Sequence, residues 1–232
     1  MSDDAVPLVI TVATRKGGSG KSTLVRLLAG ELASRGSSVG LIDGDRQGTL
    51  SNWFEKVKAN GRMPSDIDLV KVVSMEDVRS ALARFAGKDA VLIDSPGELN
   101  MVAVSVAMSS DIVLLPVRSQ QDDTDAGLET FQRLQETKSQ TGSEAIIRFV
   151  FNDIQMLDTK SKGFERACRS LESAGGSWLT TLIASRQMFK EMNDGAGTLY
   201  TMPFVSEETI GKARGNVRVL VDEIGALLEG AQ

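Results

Sequence analysis

The sequence has no histidine and a single cysteine, Cys168, in 232 residues. Without histidine there is no Ser-His-Asp triad, no imidazole general base and no imidazole metal ligand. One cysteine closes no disulfide within the chain and supplies neither a zinc cage nor the ligands of an iron–sulfur cluster. No apolar run approaches the roughly 20 residues that span a bilayer. The segment Met1 to Pro7 is acidic and short, unlike a secretory signal, so the cytoplasm is the expected compartment. Basic residues are also in deficit, 26 against 31 acidic ones. That argues against a protein that coats nucleic acid with its whole surface, and leaves room for a local basic patch. What remains for chemistry is carboxylates, lysines, hydroxyls, backbone and a bound ion.

The apolar and charged fractions, 41% and 25%, are those of an ordinary soluble globular chain. No internal repeat, low-complexity linker or domain boundary interrupts it, so residues 1–232 read as one domain. Strand-like runs are Leu8 to Ala13, Val39 to Asp43, Leu69 to Val73, Ala90 to Ile93, Ile112 to Val117, Ile146 to Phe151 and Trp178 to Ile183. Helical stretches alternate with them, among them Ser22 to Ser34, Glu76 to Phe85 and Asp122 to Lys138. Such alternation predicts an α/β fold with a mostly parallel, twisted sheet covered by helices on both faces. A last helix, Glu207 to Glu229, carries Ile210, Ala213, Val217, Leu220, Ile224, Leu227 and Leu228 in one apolar stripe.

Directly after the first strand comes Lys16-Gly17-Gly18-Ser19-Gly20-Lys21-Ser22-Thr23. Three glycines permit a tight turn whose N–H groups point inward, and a helix follows. That strand–loop–helix arrangement is the one a P-loop requires, so Gly17 to Thr23 are expected to bind ATP phosphates. Lys21 would reach the β- and γ-phosphates, Ser22 would ligate Mg2+, and Thr23 would lie near the α-phosphate. Asp94, at the end of a strand, suits the same Mg2+ through water. Asp43 is expected to help organise the shell of that ion.

The loop departs from the strict G-x-x-x-x-G-K-[ST] pattern at Arg15 and carries Lys16 instead. In this it resembles the ParA/MinD family of deviant-Walker ATPases, whose loop runs K-G-G-x-G-K-[ST]. Two further segments are similar to that family. Asp43-Gly44-Asp45-Arg46-Gln47-Gly48 resembles its D-x-D-P-Q-G element, with Arg46 in place of the usual proline. Ile93-Asp94-Ser95-Pro96-Gly97 resembles its Walker B turn. The resemblance implies a single-domain P-loop NTPase fold. It implies that Lys16 crosses a homodimer formed with ATP to touch the partner's phosphates, and that Asp45 positions the attacking water. Lys16, Lys21 and Asp45 are thus the expected catalytic set. More weakly, Asn152 resembles the residue beside the purine, and Tyr200 to Phe204, with Met202 and Pro203, resembles the loop closing over the base.

With its first strand at Leu8, the chain looks like the short ParA proteins, which have no helix-turn-helix domain and include partition ATPases and the VirC type. The resemblance implies non-specific binding of double-stranded DNA in the ATP state, nucleoid association, weak basal hydrolysis and a stimulating ParB-like or cargo-adaptor partner. Arg186, Lys190, Lys212, Arg214 and Arg218 are the expected DNA surface, Arg186 and Arg214 falling near basic positions that the family uses. No stable membrane anchor is expected, because the last helix lacks basic flanks. The alternatives are a MinD-like positioning ATPase acting on protein cargo or membrane, a P-loop small-molecule kinase or synthetase, and a scaffold that binds ATP without turnover.

Overall fold

The computed structural model describes residues 6–230 except 99, 156, 204 and 205. Phe204 of the expected base loop lies outside the described residues. Six strands, β1 (Leu8–Val12), β2 (Val39–Asp43), β3 (Ile67–Lys71), β4 (Ala90–Asp94), β5 (Ile112–Val117) and β6 (Ile146–Phe151), form one sheet. Their order is β3-β2-β4-β1-β5-β6, and every pairing is parallel. The third strand starts two residues earlier than the apolar run alone indicates.

Eight α-helices connect and cover the strands: α1 (Lys21–Ser34), α2 (Thr49–Ala59), α3 (Met75–Arg84), α4 (Met101–Met108), α5 (Gln121–Thr141), α6 (Lys162–Ser173), α7 (Gln187–Glu191) and α8 (Glu207–Glu229). Side chains alternate between the two faces of a strand. Ile10, Val12, Leu41, Leu92, Leu114 and Val150 therefore meet α1, α2 and α8 on one face. Val113, Leu115, Ile147, Phe149 and Phe151 meet α4, α5 and α6 on the other, and Ile42, Val91 and Ile93 meet α3 beside them. In β2, a Cβ at Gly40 would lie 2.5 Å from the Phe85 ring, so the absence of a side chain there lets α3's end approach the sheet.

The run Trp178 to Ile183 is not a strand of the sheet, contrary to its composition. It follows β6 through two isolated bridges, Phe149 with Trp178 and Ile154 with Ala184. Between those bridges its outward polar groups are taken by α8. Glu223 accepts from the N–H groups of Thr180 (2.6 Å) and Thr181 (2.9 Å). Asn216 accepts from the Ala184 N–H and donates to the Leu182 carbonyl. An open parallel edge is thereby closed by side chains, where a seventh strand would otherwise invite further pairing.

Burial works against the charge on Glu223, but the hydrogen bonds from Thr181 and Thr180 outweigh it and hold the carboxyl below the usual glutamate range. The stabilisation is present above the unfolded value, about 4.3, and is lost as pH falls through the folded one. Glu223→Gln should therefore cost about 1 kcal/mol in urea unfolding at pH 7. The gap to wild type should close as the medium is acidified past the folded value; a gap independent of pH would contradict the account.

Candidate functional site

The turn after β1 opens into a cleft of about 720 Å³ at the carboxyl ends of the strands. Gly18 and Gly20 have φ of 75° and 96°, in the left-handed region open to glycine. Gly20 caps α1 with no side-chain hydrogen bond, and no acidic residue occupies that helix's first turn. By contrast Ser74, Asn100, Ser161 and Ser206 cap α3, α4, α6 and α8 with their side chains. The first N–H groups of α1 are left for a ligand, which the dipole favours as an anion.

Lys21 is buried, and its Nζ donates to the Thr14 carbonyl at a long 3.4 Å. Desolvation pulls its pKa below the ordinary lysine value, against the attraction of Asp94 and Asp45. Ser22 Oγ donates to Asp94 Oδ2 at 2.5 Å. Asp94 is fully buried, and burial pushes it up to about 7, opposed by Ser22 and Lys21. Its other oxygen, Oδ1, has no hydrogen-bond partner among the described residues. An orphaned carboxylate oxygen next to a serine hydroxyl fits a divalent cation. Among the described residues no group of three or more His, Cys, Asp or Glu could hold a metal alone.

Parallel register sets Asp43 directly beside Asp94 on the neighbouring strand. Both oxygens of Asp43 are engaged: Oδ1 accepts from the Asp45 N–H, and Oδ2 from the Ser51 N–H and hydroxyl. Asp43 thus fixes the Asp45 turn and the start of α2. The turn closes through Gly48 N–H to the Asp45 carbonyl, with Asp45 Oδ1 accepting from Gln47 N–H. Arg46 takes the second position of this turn, one that proline also fits. Asp45 lines the cleft with Gly17, Gly18, Gly20, Lys21, Ser22, Thr23 and Asn152. Asn152 Nδ2 donates to the Ser19 carbonyl, joining β6's end to the phosphate loop.

Lys16 lies on the outer side of the loop, where its Nζ is 3.0 Å from Asp123 Oδ2 in the first turn of α5. Met202 is buried in the apolar cluster of α1 and α8, and neither it nor Pro203 lines the cleft. The expected DNA residues do not form one patch. Arg186 and Lys190 line the cleft itself. Arg214 donates to the Leu199 carbonyl and lies 4.8 Å over the Tyr200 ring. Arg218 is 3.7 Å from the buried Glu31, and Lys212 pairs with Glu208 at 2.6 Å. At about 100° per residue, Lys212 points to a different side of α8 from Arg214 and Arg218.

Sequence reasoning missed the far wall of the cleft: Arg26, Asn52, Trp53, Lys56, Arg118, Asp153, Phe189 and Asn193. Helical spacing was the available signal for Arg26, which stands four residues after Ser22 on α1. It is buried, 5.5 Å over the Trp53 ring. Desolvation lowers it to about 10, with Asp94 and Asp43 opposing, so it stays charged at neutral pH.

A phosphate nest, a buried lysine and a serine–aspartate pair at the switch point of a parallel sheet define a P-loop ATPase fold of the ParA/MinD type. The chain belongs to the VirC1 protein family, whose family model matches residues 8–223. It is 26% identical over 199 residues to the protein ParA of Rhizobium radiobacter, covering 84% of this chain and 86% of that one. Its fold is similar to that of apo McdA from Cyanthece, with a TM-score of 0.72, 16% identity and coverage of 92% and 99%. It is also similar to a putative plasmid partition protein of Borrelia burgdorferi bound to AMPPNP, with a TM-score of 0.67, 17% identity and coverage of 94% and 99%.

Removing Lys21 strips the loop of its own buried cation, leaving Arg26 as the other buried cation of the cleft. Lys21→Ala should weaken ATP binding by about 100-fold or more in calorimetry. Affinity equal to wild type would show that the phosphates lie elsewhere.

Proposed function

We propose that the chain is an ATP-dependent dimerising ATPase. In the ATP state it binds DNA without sequence preference and acts in the partition, positioning or transfer of DNA or another cargo. The observation that carries this is the division of the two loop lysines. Lys21 is buried under the nest, where a bound triphosphate would meet it, while Lys16 is half-exposed at the rim of the same loop, outside the cleft lining and paired with Asp123. A cation on the rim has no role toward its own loop's ligand, and suits the phosphates of a second chain set face to face. Membership of the VirC1 family and similarity to a ParA protein support partition or positioning as the setting.

Ser22 and Asp94 would hold Mg2+, which would neutralise charge developing on the phosphates. Asp45, on a turn fixed by Asp43, would orient the attacking water. With positioning as the main contribution and no histidine, basal turnover should be slow, and a partner would raise it. Exposed Lys190, Lys212 and Arg218 are the cations left for DNA. Arg214 is held by Tyr200 and Leu199. A dimer would present each of these cations twice, so DNA affinity should follow dimerisation.

Light scattering with a slowly hydrolysed ATP analogue tests the dimer. Wild type should double in mass, while Lys16→Ala should bind the analogue, remain monomeric and lose DNA binding. A wild type that stays monomeric, or a variant that dimerises as well, contradicts the proposal. Asp45→Ala should keep ATP and lose phosphate release. DNA affinity should fall steeply with salt and be indifferent to sequence, and Lys212→Glu should weaken all sequences alike.

A further inference from the structure

Beside the phosphate loop, three side chains form a chain of hydrogen bonds with a fixed direction. Arg26 Nη1 donates to Asn193 Oδ1 at 2.7 Å, and Nη2 donates to the Thr49 carbonyl at 2.7 Å. Asn193 Nδ2 donates to Thr23 Oγ1 at 2.9 Å. All three side chains line the cleft, and Arg26 is 3% exposed. A guanidinium has donors and no acceptor. The amide atom facing Arg26 must therefore be the oxygen of Asn193, and its nitrogen must face Thr23. The Thr23 hydroxyl is thus obliged to accept on that side, and its own proton is left for another acceptor. Helical threonines commonly give that proton to the carbonyl four residues back, as Thr130, Thr137 and Thr141 do here. Thr23 makes no such bond among the described residues.

We infer that Arg26 is a positioning residue which, through Asn193, fixes Thr23 as a hydrogen-bond donor to a phosphate oxygen of the bound nucleotide. The inference rests on the reading of this cleft as a nucleotide site. Arg26 spends both terminal nitrogens on Asn193 and Thr49, and so sets which way the amide faces. A residue able to accept as well as donate at that position lets the amide turn over. Thr23 then spends its proton on Asn193 and presents only lone pairs to an anion, which repel it.

Calorimetry with Mg2+ and a slowly hydrolysed ATP analogue tests this on Arg26→Lys, Arg26→Gln, Thr23→Val and the double variant Arg26→Gln/Thr23→Val. Arg26→Gln and Thr23→Val should each weaken binding by about tenfold or more, the loss of one hydrogen bond to a charged group. Arg26→Lys, still a pure donor, should stay within about threefold of wild type. The double variant should be no weaker than the weaker single one, because both remove the same bond. A Lys variant as weak as the Gln variant, or losses that multiply, would overturn the inference. If Arg26→Gln does not fold, Asn193→Asp imposes the same reversal, since a carboxylate only accepts. Its loss should be smaller in the Thr23→Val background, where only charge repulsion remains, and an equal loss in both backgrounds overturns the inference. A wild type that binds no nucleotide overturns the nucleotide reading and this inference with it; a wild type that binds, with Arg26→Gln unchanged, overturns this inference alone.

Discussion

Two fully buried carboxylates stand side by side at the ends of β2 and β4, and the site is arranged around the need to accommodate them. Asp43 and Asp94 are register partners on adjacent parallel strands. Neither charge would survive there unaided. Asp43 is satisfied by the backbone of the turn it commands and by Ser51, so its cost is met by local hydrogen bonds. Asp94 is satisfied only on one oxygen, through Ser22. Lys21 and Arg26, buried on α1, supply the positive field. The same helix start is uncapped. One acid is therefore a fixture of the scaffold, while its neighbour keeps one oxygen without a partner among the described residues, although the two occupy equivalent places on their strands.

Most of the sheet was legible in the sequence, because parallel buried strands are continuous apolar runs and their loops carry the glycines. The turn after β1 was legible for the same local reason: its glycines, Gly18 and Gly20, take the left-handed backbone and α1 follows at once. The errors share a different physics. Residues 178–183 have strand composition, yet Glu223 and Asn216, some forty residues later, take the hydrogen bonds a strand would need. The helix Met101–Met108 is apolar on nearly all sides and gives no amphipathic signature.

The basic residues were the hardest to read, since charge alone does not say where a long side chain ends up. Arg214 and Arg218 fall one turn apart on α8; Arg214 lies over Tyr200, and Arg218, though exposed, reaches toward Glu31. Tyr200 in turn hydrogen-bonds Glu31 on α1. These arginines help fasten the last helix to the helix that begins at the phosphate loop. Arg186, grouped by sequence with a DNA surface, lines the cleft because the edge segment returns it beside Asn152 and Asp153. Arg26 escaped notice altogether because its partners, Thr49 and Asn193, lie on other elements.

Strand order has a consequence for how the molecule is made. The strand that launches the phosphate loop is the first to be synthesised, yet its neighbours in the sheet are β4 and β5, so residues 8–12 have no pairing partner until residues 90–117 exist. At the far edge, residues 177–185 follow β6, and their outer side is met by Glu223 and Asn216 of α8. During translation the growing chain therefore carries an incomplete sheet with an unprotected margin almost to its last turn of helix. The cleft at the strand ends, whose walls run from Gly17 to Asn193, is among the last features to come into being.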